Sequence, residues 1–214
     1  MEYSISPDGK KYQLPAAQDY NIEFDRLKRL VDEQRSMGRE IVVVLGLGFV
    51  GAVMAAVVAD STDKKTGKPK KFVIGMQRPS PRSFWKIPLL NSGVSPVKAE
   101  DPEVGALISR CVLQRKNLIA TYTHDALSLA DVVVVDVQCD FLKHELGNCT
   151  SGRAEIAALE DSMKIIAEKI QPNCLVLIGD DSSSRYNRIH CISSCKKGIH
   201  RAGHRQRAAH SPQL

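Results

Sequence analysis

The 214-residue chain lacks an apolar leader: its first twenty residues are polar, with no segment fit for a secretory signal. A cytoplasmic protein with reduced thiols is the expectation. A basic stripe is missing too. Of the formal net charge of +6, residues 179–214 carry +5, from seven Lys/Arg against two Asp/Glu, which leaves +1 for residues 1–178. A nearly neutral body offers no track for a phosphate backbone, so nucleic acid is not an expected partner. Aromatic residues make up 5% of the chain, and the basic tail holds Tyr186 alone, so stacking platforms for bases are absent as well. Charge is absent from nineteen consecutive residues, Ile41 to Ala59, a length that just reaches a membrane span.

Those nineteen residues read IVVVLGLGFVGAVMAAVVA: a β-branched run, then Gly46-Leu47-Gly48-Phe49-Val50-Gly51, then small apolar residues. Strand, glycine turn and helix in that order are what a dinucleotide-binding βαβ unit needs. Gly46 allows a tight turn, Gly48 lets a pyrophosphate approach the backbone, and Gly51 lets the helix pack close to the strand. The amides opening the helix then face the phosphates, aided by the helix dipole. Three glycines at fingerprint spacing need no separate explanation in this reading and are accidental in a membrane span. The expectation is therefore no membrane.

Around this unit the chain alternates strands and helices. Residues 1–19 read as an irregular arm. Asn21 is placed to cap a helix running to about Met37, with Phe24, Leu27, Leu30 and Val31 on one face and Gly38 ending it. Strands are expected at about 41–45, 72–76, 118–122, 132–137 and 174–178, the fourth buried on both faces. Helices are expected at about 49–59, 83–90, 102–116, 125–130 and 151–170, and the lysine-rich stretch 61–71 reads as a solvated loop. This pattern predicts an α/β fold: a Rossmann-like, doubly wound parallel sheet with an N-terminal helical extension (1–38), a dinucleotide-binding domain (39–178) and a disordered C-terminal tail (179–214).

Four segments together resemble the UDP-sugar 6-dehydrogenase family, the nucleotide-sugar dehydrogenases. Gly46 to Gly51 is similar to its glycine fingerprint. Leu90-Asn91-Ser92-Gly93-Val94-Ser95-Pro96-Val97 resembles the loop after its second strand, Ala130-Asp131-Val132-Val133-Val134-Val135 its fourth strand, and Pro172-Asn173-Cys174-Leu175-Val176-Leu177-Ile178 its fifth. The resemblance covers about residues 39–178, the family's N-terminal NAD domain. It implies NAD as cofactor, held by Gly46, Leu47, Gly48, Phe49, Val50, Gly51, Gln77, Arg78, Val137, Gln138 and Cys139. Two positions depart from the family. Its second strand ends on an acid that binds both adenosine ribose hydroxyls, where this chain has Met76-Gln77-Arg78. Gln77 can still bond a hydroxyl. Arg78 can stack on adenine or meet a 2′-phosphate, which admits NADP behind NAD, or it is a surface arginine with no ligand role. The family's threonine-bearing turn after the fourth strand reads Gln138-Cys139-Asp140, with Cys139 either a pocket residue or a small apolar filler.

The family oxidises the C6 alcohol of a UDP-sugar to a uronate for polysaccharide biosynthesis by two hydride transfers to NAD. Its cysteine nucleophile and the assisting lysine and aspartate lie beyond the NAD domain. No cysteine here stands in the matching motif, so no catalytic residue is assigned and the chain as written is expected to be inactive. The family's main dimerising helix also lies downstream, so a fragment prone to aggregate is expected. An alternative is a stand-alone NAD(P)-binding module with a regulatory or interaction role. Another is a different short dehydrogenase, for which Asp140 and His144 are the available acids or bases.

After Ile178 the apolar periodicity stops. The family continues with a stretch similar to Glu-Thr-Thr-Val-Pro-Pro-Gly-Thr-Thr-Glu. One coding string for it, GAG ACG ACA GTT CCT CCC GGT ACA ACC GAA, gives Gly179 to Arg188 as they stand when a single G precedes it. The expectation is an out-of-frame tail, from a pseudogene or a sequence error. That account also yields His190, Cys191, Cys195, His200 and His204, whose C-x3-C-x4-H-x3-H spacing imitates a zinc knuckle without selection for ligands; no metal site is expected.

Overall fold

Two apolar runs set the centre of the sheet. The computed structural model describes residues 2–137, 140–143 and 152–179. Within them β3 (Glu40–Leu45) pairs in parallel with β4 (Lys71–Met76) on one side and β6 (Val132–Val135) on the other. With β5 (Leu118–Thr121) and β9 (Leu175–Ile178) they form a five-stranded parallel sheet in the order β5-β4-β3-β6-β9. The direction of winding reverses between β3 and β6, so a crevice opens where their carboxyl ends part. The register holds those ends level, Leu45 opposite both Met76 and Val135.

Helices cover both faces, which is why β3 is apolar at every position after Glu40. Ile41, Val43 and Leu45 pack on α1 (Ala17–Ser36) through Leu27 and Val31. The same face meets α5 (Ala157–Lys169) through Leu159, Met163 and Ile166. Val42 and Val44 pack on α2 (Phe49–Asp60), α3 (Lys86–Asn91) and α4 (Glu103–Ser109). Ala52, Ala55, Ala56 and Ala59 are fully buried and share one side of α2, so the helix lies close against the sheet. Each buried Val, Leu or Ile adds about 1.5–3 kcal/mol to folding. A π-helical turn at Arg110–Gln114 continues α4, and Lys116 at φ 50° ends it. A 3-10 helix at His124–Leu129 joins β5 to β6.

The parallel sheet and the alternation of strands and helices match the expectation, and the stretch 41–59 is a strand, a turn and a twelve-residue helix. No helix among the described residues is long and apolar enough to cross a membrane.

Several boundaries differ. The arm holds an antiparallel pair, β1 (Tyr3–Ile5) and β2 (Lys11–Gln13), closed by a turn with Gly9 at φ 85°. It docks through the buried Ser4, whose Oγ accepts the Trp85 N–H at 3.1 Å. α1 begins at Ala17, not Asn21, because the Asp19 carboxylate reaches back to accept the Ala16 N–H at 2.7 Å. α5 begins at Ala157, not residue 151, since β8 (Gly152–Glu155) pairs with β7 (Asp140–Lys143) ahead of it. β6 stops at Val135 rather than 137. β9 is covered on the α5 side by Val176 and Ile178, while Leu175 and Leu177 are about half exposed on the other. The tail beyond Gly179, with its imitation zinc spacing, lies outside the described residues, as does His144.

Candidate dinucleotide cleft

The turn after β3 is shaped by close approach. Gly46 stands at φ 103°, and a Cβ there would lie 2.1 Å from the Asp136 carbonyl oxygen. Its N–H donates to the Met76 carbonyl at 2.9 Å, tying the turn to β4. A Cβ on Gly51 would lie 2.0 Å from the Gly46 carbonyl oxygen, so the first turn of α2 rests directly on the loop. Gly48 differs: a Cβ there would meet nothing within 4 Å. Gly48 also N-caps α2 without any side-chain bond, and Gly48, Phe49 and Val50 at that helix start line the cleft.

Leu47 anchors the turn. Its side chain is fully buried against Gly75, where a Cβ would come within 2.6 Å of Leu47 Cδ2. Its N–H donates to Gln77 Oε1 at 2.9 Å, and its carbonyl accepts from Lys86 Nζ at 3.1 Å. Partial burial pushes the Lys86 ammonium below its usual range.

A cleft of about 970 Å³ spreads over the carboxyl ends of β3, β4 and β6. Gly46, Gly48, Phe49, Val50, Gln77, Arg78 and Val137, all expected from the sequence, line it. Gly51 lies beneath its floor and Leu47 points away into the core. Gln138 and Cys139 lie outside the described residues. The cleft also recruits Asp136 and His124, and α5 contributes Asp161, Ser162 and Ile165. Asp136 and His124 follow the ends of β6 and β5, which is where an open α/β sheet collects its ligand groups, and that rule was the signal available for them.

Charge is distributed unevenly. Asp136 ends β6 beside the glycine turn, its Oδ2 2.7 Å from where a Gly51 Cβ would stand. Near β5, Asp125 accepts from Lys169 Nζ at 2.5 Å, which holds its carboxyl below the usual range. Burial depresses the His124 imidazole, with the Lys169 and Arg78 charges adding to the effect. The two thiols among the described residues are poor nucleophiles. Cys111 is fully buried, its pKa pushed up to about 11 by desolvation, and burial raises Cys174 as well. No group of three His, Cys, Asp or Glu fit to hold a metal occurs among the described residues.

No protein-family model matches the chain, and no curated protein does. Solved structures do. The NDP-N-acetyl-D-galactosaminuronic acid dehydrogenase of Methanosarcina mazei Go1 matches with a TM-score of 0.64 at 25% identity, over 80% of this chain and 33% of that one. The GDP-mannose dehydrogenase of Pseudomonas aeruginosa matches at 0.57 and 23% identity, over 74% of this chain and 32% of its own. The UDP-glucose dehydrogenase of Pyrobaculum islandicum matches at 0.57 and 17%, over 75% and 33%. The latter two speak for the fold alone. The chain spans about a third of the length of these structures. With its five-stranded parallel sheet and its glycine turn at the β3–β6 crevice, the chain is similar to the nucleotide-sugar dehydrogenases, and to the N-terminal part of them.

Proposed function

We propose that this chain is the dinucleotide-binding domain of a nucleotide-sugar dehydrogenase and holds a nicotinamide dinucleotide across the crevice between β3 and β6. The observation that carries this reading is the glycine turn itself. Two of its glycines are demanded by packing, while the third, Gly48, leaves open space in front of the α2 amides. A pyrophosphate fits that space and is met by N–H donors at a helix start. Gln77 and Lys86 hold the turn in shape from behind. Arg78 and His124 then stand at the adenosine-ribose end, and Val137 at the crevice between β3 and β6. The bound nicotinamide supplies the hydride acceptor for oxidation of an alcohol, in this family the C6 alcohol of a nucleotide sugar.

The described residues bind and orient; they do not complete that reaction. Neither described thiol is poised to attack an aldehyde, since burial raises both Cys111 and Cys174. Binding without turnover is the expected behaviour. The codon match at Gly179 to Arg188 supports an out-of-frame origin for 179–214, and resequencing the locus tests it: an intact frame with no extra base near codon 179 defeats that part of the reading.

Isothermal titration of the purified full chain with NAD+ and with NADP+ tests the binding. Saturable heat for either one, suppressed by ADP-ribose, is expected. No heat from either at millimolar concentration overturns the proposal. Turnover of UDP-glucose or GDP-mannose by the same preparation would overturn the expectation of inactivity.

A further inference from the structure

We propose that His124 is a ribose-reading residue of this cleft: together with Gln77 it receives the two adenosine ribose hydroxyls, so that two acceptors from neighbouring strand ends do what one carboxylate does in the usual arrangement. This rests on the dinucleotide reading above.

The sheet brings the two residues together. β4 and β5 run in parallel register with Met76 opposite Thr121, and the Gln77 N–H donates to the Thr121 carbonyl at 3.0 Å. Gln77 and His124 therefore follow adjacent strand ends, and both line the cleft. Each is held from behind. Gln77 Oε1 accepts from the Leu47 N–H at 2.9 Å. His124 opens the 3-10 helix, whose start is fixed by the buried Thr123, with its Oγ1 accepting from the Asp125 N–H at 3.2 Å.

A ribose 2′,3′-diol brings two O–H donors, and this end of the cleft offers one side-chain acceptor for each. An amide oxygen carries two lone pairs, and the Leu47 N–H takes one of those on Gln77 Oε1, which leaves the other. The His124 ring makes no hydrogen bond among the described residues. Burial disfavours its cation, as do the Lys169 charge on α5 and the Arg78 charge after β4; Asp125, on its own helix, opposes them but is tied to Lys169 Nζ at 2.5 Å. A neutral imidazole keeps one nitrogen as an acceptor. The remaining carboxylates of the cleft stand elsewhere: Asp136 ends β6 beside the glycine turn, and Asp161 pairs with Lys164 at 3.1 Å along α5. Donors are plentiful by contrast, since the Gln77 amide and the Arg78 guanidinium can both meet the hydroxyl oxygens. Acceptors are the scarce element at this end, and His124 supplies one of the two.

Displacement of NAD+ from the full chain by 5′-ADP and by 2′,3′-dideoxy-5′-ADP tests the assignment. The probe with hydroxyls is expected to bind about tenfold more tightly, as two hydrogen bonds would give. His124→Ala should reduce that preference to about threefold while leaving affinity for the dideoxy probe within about twofold of its value in the unaltered chain. His124→Gln, which returns an acceptor, should recover most of the preference, and His124→Lys, a donor alone, should not. Thermal melting confirms the fold of each variant. A merely structural role for His124 would weaken both probes alike and leave their ratio unmoved. A ratio near one in the unaltered chain, a ratio unchanged by His124→Ala, or recovery by His124→Lys equal to that by His124→Gln overturns the proposal. Failure of NAD+ and 5′-ADP to bind at all overturns the dinucleotide reading itself, so the two failures are distinct.

Discussion

At the phosphate end of the cleft, backbone conformation is dictated by backbone packed against it: Gly46 by the Asp136 carbonyl, Gly51 by the Gly46 carbonyl. At the ribose end, side chains do the shaping, with Gln77 turned inward to the Leu47 amide and Arg78 left outward on a pinned loop. At Gly46 and Gly51 the first end tolerates almost no change, and such a glycine turn is common to many dinucleotide folds. The second can be altered by one substitution without disturbing the sheet. On the proposed reading, affinity for a dinucleotide and choice among dinucleotides are therefore separable properties of this cleft.

Breaking the phosphate end should have the largest effect. In Gly46→Ala and Gly51→Ala the new methyl meets a backbone oxygen at 2.1 and 2.0 Å, with positive φ adding strain at Gly46. Backbone cannot yield as a flexible side chain can, so each should cost about 3 kcal/mol or more. For a domain of this size that is a fall in Tm of about 10 °C. Gly48→Ala is the internal control: its methyl meets nothing within 4 Å, so Tm should stay within about 2 °C while dinucleotide binding weakens. Differential scanning calorimetry on the three variants decides. Equal melting of Gly48→Ala and Gly51→Ala would erase the division of labour among the glycines.

Gln77 links the two ends, and its variants come next. Gln77→Ala leaves the Leu47 N–H without its acceptor, a loss of about 1 kcal/mol. Gln77→Glu keeps an acceptor at that amide and adds a second carboxylate oxygen at the ribose end. It should melt close to the unaltered chain, and its NADP+/NAD+ affinity ratio should fall. Denaturant unfolding and titration of the two variants check this; a destabilised Gln77→Glu would show that the amide contact is not what holds the turn.

The contrast also explains what could be read from sequence. The glycine turn was legible because sterics at Gly46 and Gly51 leave no other residue, and β3 and β6 were legible because burial on both faces demands unbroken apolar runs. The β1–β2 pair was not, since three-residue strands such as Lys11–Gln13 carry no apolar alternation and exist through pairing and the Ser4 contact. The start of α1 was misplaced because Ala16 has no capping side chain and Asp19 acts from inside the first turn. The exposure of Leu175 and Leu177 was not legible either, because an apolar strand does not reveal which of its faces a helix covers. Of the cleft, the residues on the turn and at the end of β4 were found. His124 and Asp136 were missed, because parallel neighbours bring them together from distant sequence.

Asp136 offers a smaller test, aimed at the phosphate end without touching its glycines. Its carboxylate lies next to the floor of the turn and is the wrong sign for a pyrophosphate. Repulsion between charges separated by several ångströms in a partly solvated cleft is about 1 kcal/mol. Asp136→Asn should therefore tighten both dinucleotides about fivefold and equally, leaving their ratio alone. A change in the ratio would place the Asp136 field at the ribose end and break the separation drawn above.

The smallest effect belongs to the Asp125–Lys169 pair that backs the ribose end. The Lys169 hydrogen bond holds the Asp125 carboxyl below its ordinary 3.8. A carboxyl with a depressed folded pKa contributes stability that is complete above the unfolded value and is lost as pH falls through the folded one. The two side chains keep 35% and 40% of their exposure, so solvent screening limits the contribution to less than about 1 kcal/mol. Asp125→Asn should thus melt slightly below the unaltered chain at pH 7, and the gap should close as the pH falls below the ordinary carboxyl range. A gap that widens on acidification would mean that Asp125 is not stabilised as an anion. At neutral pH the same substitution leaves Lys169 without its partner, which adds positive charge beside His124. NADP+ should then gain over NAD+ by about twofold, while the Tm difference between Gly48→Ala and Gly51→Ala, a property of the other end, stays as it was.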